Sequence, residues 1–129
     1  MQTVKQKNSG FTLVEVLVAI AFLTISMLAI LHALGLSVEH NMKNIIMDEA
    51  VRISEQKMNE LRNSPFASLT SSSQSPILRT FRNTTISYNV NWIVQNFSAD
   101  SRAIQVIVQW RWKNMDHQHS ATSIVSTGI

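Results

Sequence analysis

The chain has 129 residues, which is enough for one small domain. Its 11 basic and 8 acidic side chains give a formal charge of +3, and it contains no cysteine. A disulfide scaffold and a thiolate metal site are therefore excluded. The basic residues are scattered and mostly interleaved with acids, which argues against nucleic-acid binding.

An apolar run without Asp, Glu, Lys or Arg covers residues 16–38. As a helix it would be about 34 Å long, enough to cross a bilayer core of roughly 30 Å. Because Lys5 and Lys7 precede the run and Glu39 follows it, the positive-inside rule predicts a cytoplasmic N-terminus. The run is too long for the apolar region of a cleaved secretory signal. It is also apolar on every face, which argues against a helix buried in a small soluble domain. An ordinary signal anchor remains an alternative.

An acid, Glu15, stands at the very start of this apolar segment. A carboxylate at the centre of a membrane helix costs about 2.5–3.5 kcal/mol, and less near the interface, so this residue is expected to have a functional role with a cationic partner. The polar side chains inside the run can bond back to the helix backbone or reach an interface: Thr24, Ser26, His32 and Ser37.

Residues 9–20, Ser-Gly-Phe-Thr-Leu-Val-Glu-Val-Leu-Val-Ala-Ile, resemble the class III signal of type IV pilins and type II secretion pseudopilins. The resemblance covers residues 5 to about 35. It implies a leader that a membrane prepilin peptidase removes after Gly10, and a new N-terminal residue, Phe11, that is N-methylated. It also implies that Glu15 meets the N-terminal amine of a neighbouring subunit. Two poorly solvated charges attract strongly, and such a pair favours one stagger between packed helices.

Two departures from the major-pilin pattern point to a minor pilin or pseudopilin. The anchor has no Pro and a single glycine, Gly35, and no C-terminal cysteine pair is present. Residues 48–62 and the Ser-Pro-Phe that follows also look like the helix end of PilV-type minor pilins, and nearly as much like GspI-type minor pseudopilins. The partners implied are prepilin peptidase, other major and minor pilins, the inner-membrane pilus assembly platform and membrane lipid.

Residues 39–63 are predicted to continue the N-terminal helix as an amphipathic half, which Ser64-Pro65 ends. Apolar side chains recur along one face, which we expect to pack on the chain's own domain. This face consists of Met47, Val51, Ser54, Met58 and Leu61, widened by Ile46, Ala50 and Ile53.

Residues 64–129 are predicted to form a Ser-rich loop (67–76) followed by an antiparallel sheet. In two runs, apolar and polar side chains alternate with period two, as in a half-buried strand. A third run, about 119–127, shows a weaker strand pattern. Turns are expected at 98–101 and 114–117. The chain is thus divided into four parts. A leader (1–10) is followed by one helix with an anchor half (11–38) and an amphipathic half (39–63), and then by the loop and sheet (64–129). The fold class is α+β, and the pilin resemblance implies a long helix on three or four strands. The alternating positions are Ile86, Tyr88, Val90, Trp92 and Val94, then Ile104, Val106, Val108, Trp110 and Trp112.

No pattern of catalytic residues is present, so we expect neither an enzyme nor a cofactor. His117 and His119 could share a strand face, but without a third ligand they indicate a solvated turn rather than a metal site. Trp110 and Trp112 indicate core and sheet-edge packing. A DNA-uptake pseudopilin remains an alternative that would need a basic patch, for which the candidates are Arg79, Arg82, Arg102, Arg111 and Lys113.

Overall fold

The computed structural model describes residues 9–128. The predicted leader bases Lys5 and Lys7 lie outside these residues. One α-helix, α1 (Leu13–Arg62), is continuous over 50 residues. The chain divides into two compact units between Asn41 and Met42, within this helix.

The first half of α1 is exposed at every position. Among the described residues α1 is the one helix long and apolar enough to cross a membrane. The hydroxyl groups of Thr24 and Ser26 donate to the carbonyl oxygens of Ile20 and Phe22, both at 2.8 Å. These two polar groups are therefore satisfied within the helix, as predicted, which lowers their cost in lipid.

The second half of α1 packs on the sheet through Ile46, Ala50, Ile53, Ser54, Met58 and Leu61. The predicted face is slightly wrong at its start: Met47 is 39% exposed and Val51 only half-buried. Ile46, one position earlier and also predicted to lie on this face, is the first residue of α1 that is fully buried. The helix ends at Arg62, where the hydroxyl of Ser64 donates to the carbonyl of Glu60 at 2.9 Å, and Pro65 prevents continuation.

After α1, a 3₁₀ turn covers Phe66–Ser68, and the strands are β1 (Ser72–Ser73), β2 (Ile77–Phe81), β3 (Thr84–Asn96), β4 (Ser101–Trp112) and β5 (Met115–Ser126). These strands belong to one antiparallel sheet in which β3 is flanked by β4 on one side and by both β1 and β2 on the other. β5 lies beyond β4. The sheet therefore has five strands, more than the three or four expected. The additional strands are β2 and the very short β1, which lies in the predicted loop.

The period-two pattern of the two main strands is confirmed. Their predicted apolar positions are buried or half-buried against α1, and the intervening residues face away from it. At the centre of this core, the phenol of Tyr88 donates to the carbonyl of Ile46 at 2.9 Å. Burial raises the pKa of this phenol, and the nearby carboxylate of Glu49 adds to the shift.

The β3–β4 connection falls at residues 97–100, one position before the predicted turn at 98–101, and the second turn is displaced further. Lys113 and Asn114 connect β4 to β5, with φ of 50° and 60°. Two consecutive residues with positive φ make the tight turn that matches the twist of a hairpin. Residues 115–117, expected in the turn, are therefore the start of β5.

Candidate functional site at the N-terminal junction

The Gly10–Phe11 bond lies in non-helical chain, two residues before α1 begins. Both residues are exposed, Phe11 by 89%. A Cβ built on Gly10 would meet no atom within 4 Å. A peptidase must bind its scissile bond in an open conformation, and a bond inside a helix would first have to be unwound. This junction satisfies that requirement without any rearrangement of the helix.

Thr12 and Glu15 close the start of α1 with two reciprocal hydrogen bonds. The backbone N–H of Thr12 donates to Oε2 of Glu15 at 3.0 Å, and the N–H of Glu15 donates to Oγ1 of Thr12 at 3.3 Å. The N–H of Val16 donates to the carbonyl of Thr12 at 3.2 Å. This arrangement is a capping box, in which a threonine N-cap and a glutamate three residues later satisfy two otherwise unpaired N–H groups.

The capping box gives Glu15 a local role that the sequence interpretation missed. The Thr-x-x-Glu spacing was the signal that could have identified it. The carboxylate is also stabilised by the positive end of the helix dipole. Its second oxygen, Oε1, makes no hydrogen bond to any described residue. This oxygen is therefore available to a further hydrogen-bond donor or cation.

The histidine pair is not in a solvated turn, so that expectation is wrong. His117 lies in β5 and stacks on Trp110, with ring centroids 5.7 Å apart. Its Nε2 atom is buried without a hydrogen-bond partner among the described residues. The described part of the chain contains no group of three or more side chains able to hold a metal ion. Trp110 is buried and Trp112 half-buried at the same end of the sheet.

The arginines proposed for a basic patch lie on both faces of the sheet. Nε of Arg79 lies 2.9 Å from Oε1 of Glu49 on α1. Nη1 of Arg102 donates to two loop carbonyls, at 2.6 and 3.0 Å. Arg111 lies on the opposite face, with Nε 3.4 Å from a carboxylate oxygen of Asp116. These three guanidinium groups are engaged in separate places and do not form one patch.

Residues 5–31 match the family model described as the prokaryotic N-terminal methylation motif. No curated protein and no solved structure matches the chain. The matched residues include the Gly10–Phe11 junction, the capping box and the first half of the apolar run. The motif indicates a type IV pilin-like prepilin precursor, and the apolar helix is compatible with a single-pass membrane anchor.

Proposed function

We propose that this chain is the precursor of a PilV-type minor pilin, incorporated in a type IV pilus where it promotes or primes filament assembly. The observation that carries the proposal is the N-terminal junction: an open Gly-Phe bond, a capping box directly after it and an apolar helix of membrane-spanning length. The chain acts as a structural subunit rather than as an enzyme.

The charges near the N-terminus suggest how the chain is inserted, processed and assembled. The apolar half of α1 lies in the inner membrane with its N-terminus cytoplasmic, and the sheet-bearing domain is periplasmic before assembly. Prepilin peptidase cuts after Gly10 and methylates Phe11. Removal of the leader takes away Lys5 and Lys7 and leaves an ammonium at Phe11. This new cation, supplied by a neighbouring subunit, is the proposed partner of Glu15.

The apolar surface of α1 is divided between two uses. Its second half is covered by the chain's own sheet, whereas the first half is exposed throughout the described residues. Lipid covers this first half before assembly, and the helices of other pilins cover it afterwards. The unbroken helix, without an internal proline, also supports a minor rather than a bulk subunit.

A minor pseudopilin of a type II secretion system is the second candidate, because the same N-terminal motif serves both machines. The DNA-uptake alternative receives no support from Arg79, Arg102 and Arg111, since their guanidinium groups already pair with carboxylates or loop carbonyls on different faces of the sheet.

The test is quantitative mass spectrometry of filaments sheared from cells that express the wild-type chain or Gly10→Val. We expect the Val side chain to block cleavage at the adjacent bond. Because a Cβ at position 10 would meet no atom within 4 Å, the substitution should leave the helix and the domain unchanged. We expect the wild-type chain in the filament fraction at a small fraction of the bulk subunit, and the variant only in membranes. Loss of protein secretion with normal pili in a deletion strain would instead assign the chain to a secretion system.

A further inference from the structure

Two turns of the sheet share one sequence pattern, an aromatic residue followed by a base and an asparagine. Phe81-Arg82-Asn83 leads from β2 into β3, and Trp112-Lys113-Asn114 leads from β4 into β5. Because the start of β3 lies beside the end of β2 and near the end of β4, both turns lie at the same end of the sheet. The hairpin turn at the opposite end, residues 97–100, contains an acid, Asp100, and no base. We call the end with the two bases the basic end.

The geometry of these turns does not account for their bases. The first turn residue is left-handed in each case, with φ of 53° at Arg82 and 50° at Lys113. Such positions favour Gly, Asn or Asp, so a long cationic side chain brings no conformational advantage there. Both residues are exposed, and the side chain of Arg82 makes no hydrogen bond or ion pair with any residue in 9–128. These observations indicate a role outside the fold.

The basic end lies where α1 enters the second compact unit, which begins at Met42. Near the start of this unit the phenol of Tyr88 donates to the carbonyl of Ile46. Four residues later in β3, the centroid of the Trp92 ring lies 4.2 Å from Nζ of Lys57. Within this unit β3 therefore runs in the same sense as the helix, and the turn that precedes β3 lies toward the start of the helix.

Lys43 adds a third cation to the basic end. It lines a cavity of about 210 Å³ together with Trp112, which places it beside the second turn. Lys43 follows Val38, the last residue of the apolar run, by five positions. A chain of this length spans at most about 18 Å in any conformation. With the apolar run in a bilayer, the basic end is thus tethered close to the membrane surface.

The other side chains at the basic end also suit a membrane surface. Phe81 and Trp112 are half-buried, and Met115, opposite Trp112, is 56% exposed. Aromatic residues with Lys and Arg are typical anchors at the interface, where apolar parts and charged heads are both accommodated. The adjacent Arg111 and Asp116 form an ion pair at 3.4 Å and neutralise each other. The basic end therefore combines apolar side chains with an excess of positive charge.

We propose that the basic end docks on the anionic headgroups of the bilayer that holds the apolar half of α1. Arg82, Lys113 and Lys43 bind lipid phosphates, and Trp112 and Met115 lie among the headgroups. Each cation near an anionic surface strengthens binding roughly fivefold, so loss of two weakens it roughly thirtyfold. The proposal rests on the membrane anchor alone and holds equally for a pilus subunit and a secretion subunit.

The natural absence of cysteine allows a fluorophore to be attached at one chosen position of the full chain. Asn83→Cys places it at the basic end, and Ala99→Cys, in the opposite turn, is the control. The chain is reconstituted in vesicles that contain a lipid with a nitroxide on its headgroup, which quenches nearby fluorophores. We expect strong quenching at position 83 in vesicles of phosphatidylglycerol and phosphatidylcholine in equal parts, weak quenching there in phosphatidylcholine alone, and weak quenching at position 99 in both. Equal quenching at the two positions, or at position 83 in the two lipids, would overturn the proposal.

Charge variants test which residues dock. Arg82→Gln with Lys113→Gln should lower the ratio of docked to undocked domain roughly thirtyfold. Arg52→Gln with Arg62→Gln, two exposed bases further along α1, makes the same change in charge and should leave the ratio unchanged. Raising the salt concentration shortens the Debye length from about 30 Å at 0.01 M to about 8 Å at 0.15 M and should weaken docking of the wild-type chain.

Three further results would contradict the docking. The first is a double variant at positions 82 and 113 that keeps its tryptophan near-ultraviolet spectrum and docks as well as the control pair. The second is loss of duplex DNA binding in that variant with unchanged docking on lipid, which would assign the basic end to nucleic acid. The third is a chain that fails to float with neutral vesicles, which would contradict the anchor itself. Flotation without docking would contradict this proposal alone.

Discussion

Replacing Glu15 by glutamine separates its two proposed roles, because glutamine can form a capping box but carries no charge. Three variants are compared. Glu15→Gln keeps the hydrogen bond to the N–H of Thr12, Glu15→Ala removes both the bond and the charge, and Thr12→Ala removes the hydroxyl that accepts from the N–H of Glu15. All three should still be cleaved after Gly10, since the junction itself is unchanged.

The free energies of the N-cap and of the charge pair predict which variant fails to assemble. Loss of an N-cap costs about 0.5–2 kcal/mol, and it affects only the start of a helix that is 50 residues long. An ammonium and a carboxylate at 4 Å attract by roughly 4 kcal/mol at an effective dielectric constant of 20, before the desolvation cost. If half of this attraction survives as a net gain, its loss corresponds to roughly a thirtyfold decrease in assembly.

The assay is the amount of each variant in sheared filaments, normalised to the amount in membranes. We expect Thr12→Ala to assemble within a few-fold of wild type, and Glu15→Gln to fail nearly as completely as Glu15→Ala. The reasoning is refuted if Glu15→Gln assembles normally while Thr12→Ala does not. That result would mean that the capping box, and not the charge, is what the filament requires.

Two further predictions concern the domain and can be measured on the full chain in detergent. Tyr88→Phe removes the buried bond to Ile46 and should cost about 1 kcal/mol, lowering the melting temperature followed by tryptophan near-ultraviolet dichroism by about 4–8 °C. Burial raises the pKa of the Tyr88 phenol, so the folded state favours the neutral phenol over the phenolate. The contribution of the neutral phenol to the free energy of unfolding is complete below about pH 10 and is lost as the pH rises above it. In alkali, wild type should therefore lose more stability than Tyr88→Phe. Arg102→Ala should expose the segment between α1 and β1 to limited proteolysis, since two charged hydrogen bonds of about 1.5–3 kcal/mol each are lost. Unchanged cleavage of this segment would show that other contacts hold it.

The elements with a strong local pattern could be predicted from the sequence, and those that depend on a distant partner could not. The long helix and the two alternating strands β3 and β4 belong to the first group. β2 was missed because Arg79 interrupts its apolar face, and this arginine is placed there by Glu49 on α1, 30 positions away. β5 gave a weak signal since an edge strand with few apolar residues owes its conformation to the ladder with β4.

The candidate site shows the same division. The cleavage junction at Gly10 and Phe11 was predicted from the resemblance of residues 9–20 to the class III signal, and it stays a prediction. The capping role of Thr12 was also encoded locally, in the Thr-x-x-Glu spacing of residues 12–15. The stacking of His117 on Trp110 could not have been predicted, because it depends on the register between β4 and β5 and on the displaced turn.

The central claim, that this chain is a prepilin, is tested most directly by mass spectrometry of the intact protein from wild-type cells. We predict a chain that begins at Phe11 and carries one methyl group on its terminal nitrogen. A chain that still contains residues 1–10 would contradict the account, as would cleavage at any other bond.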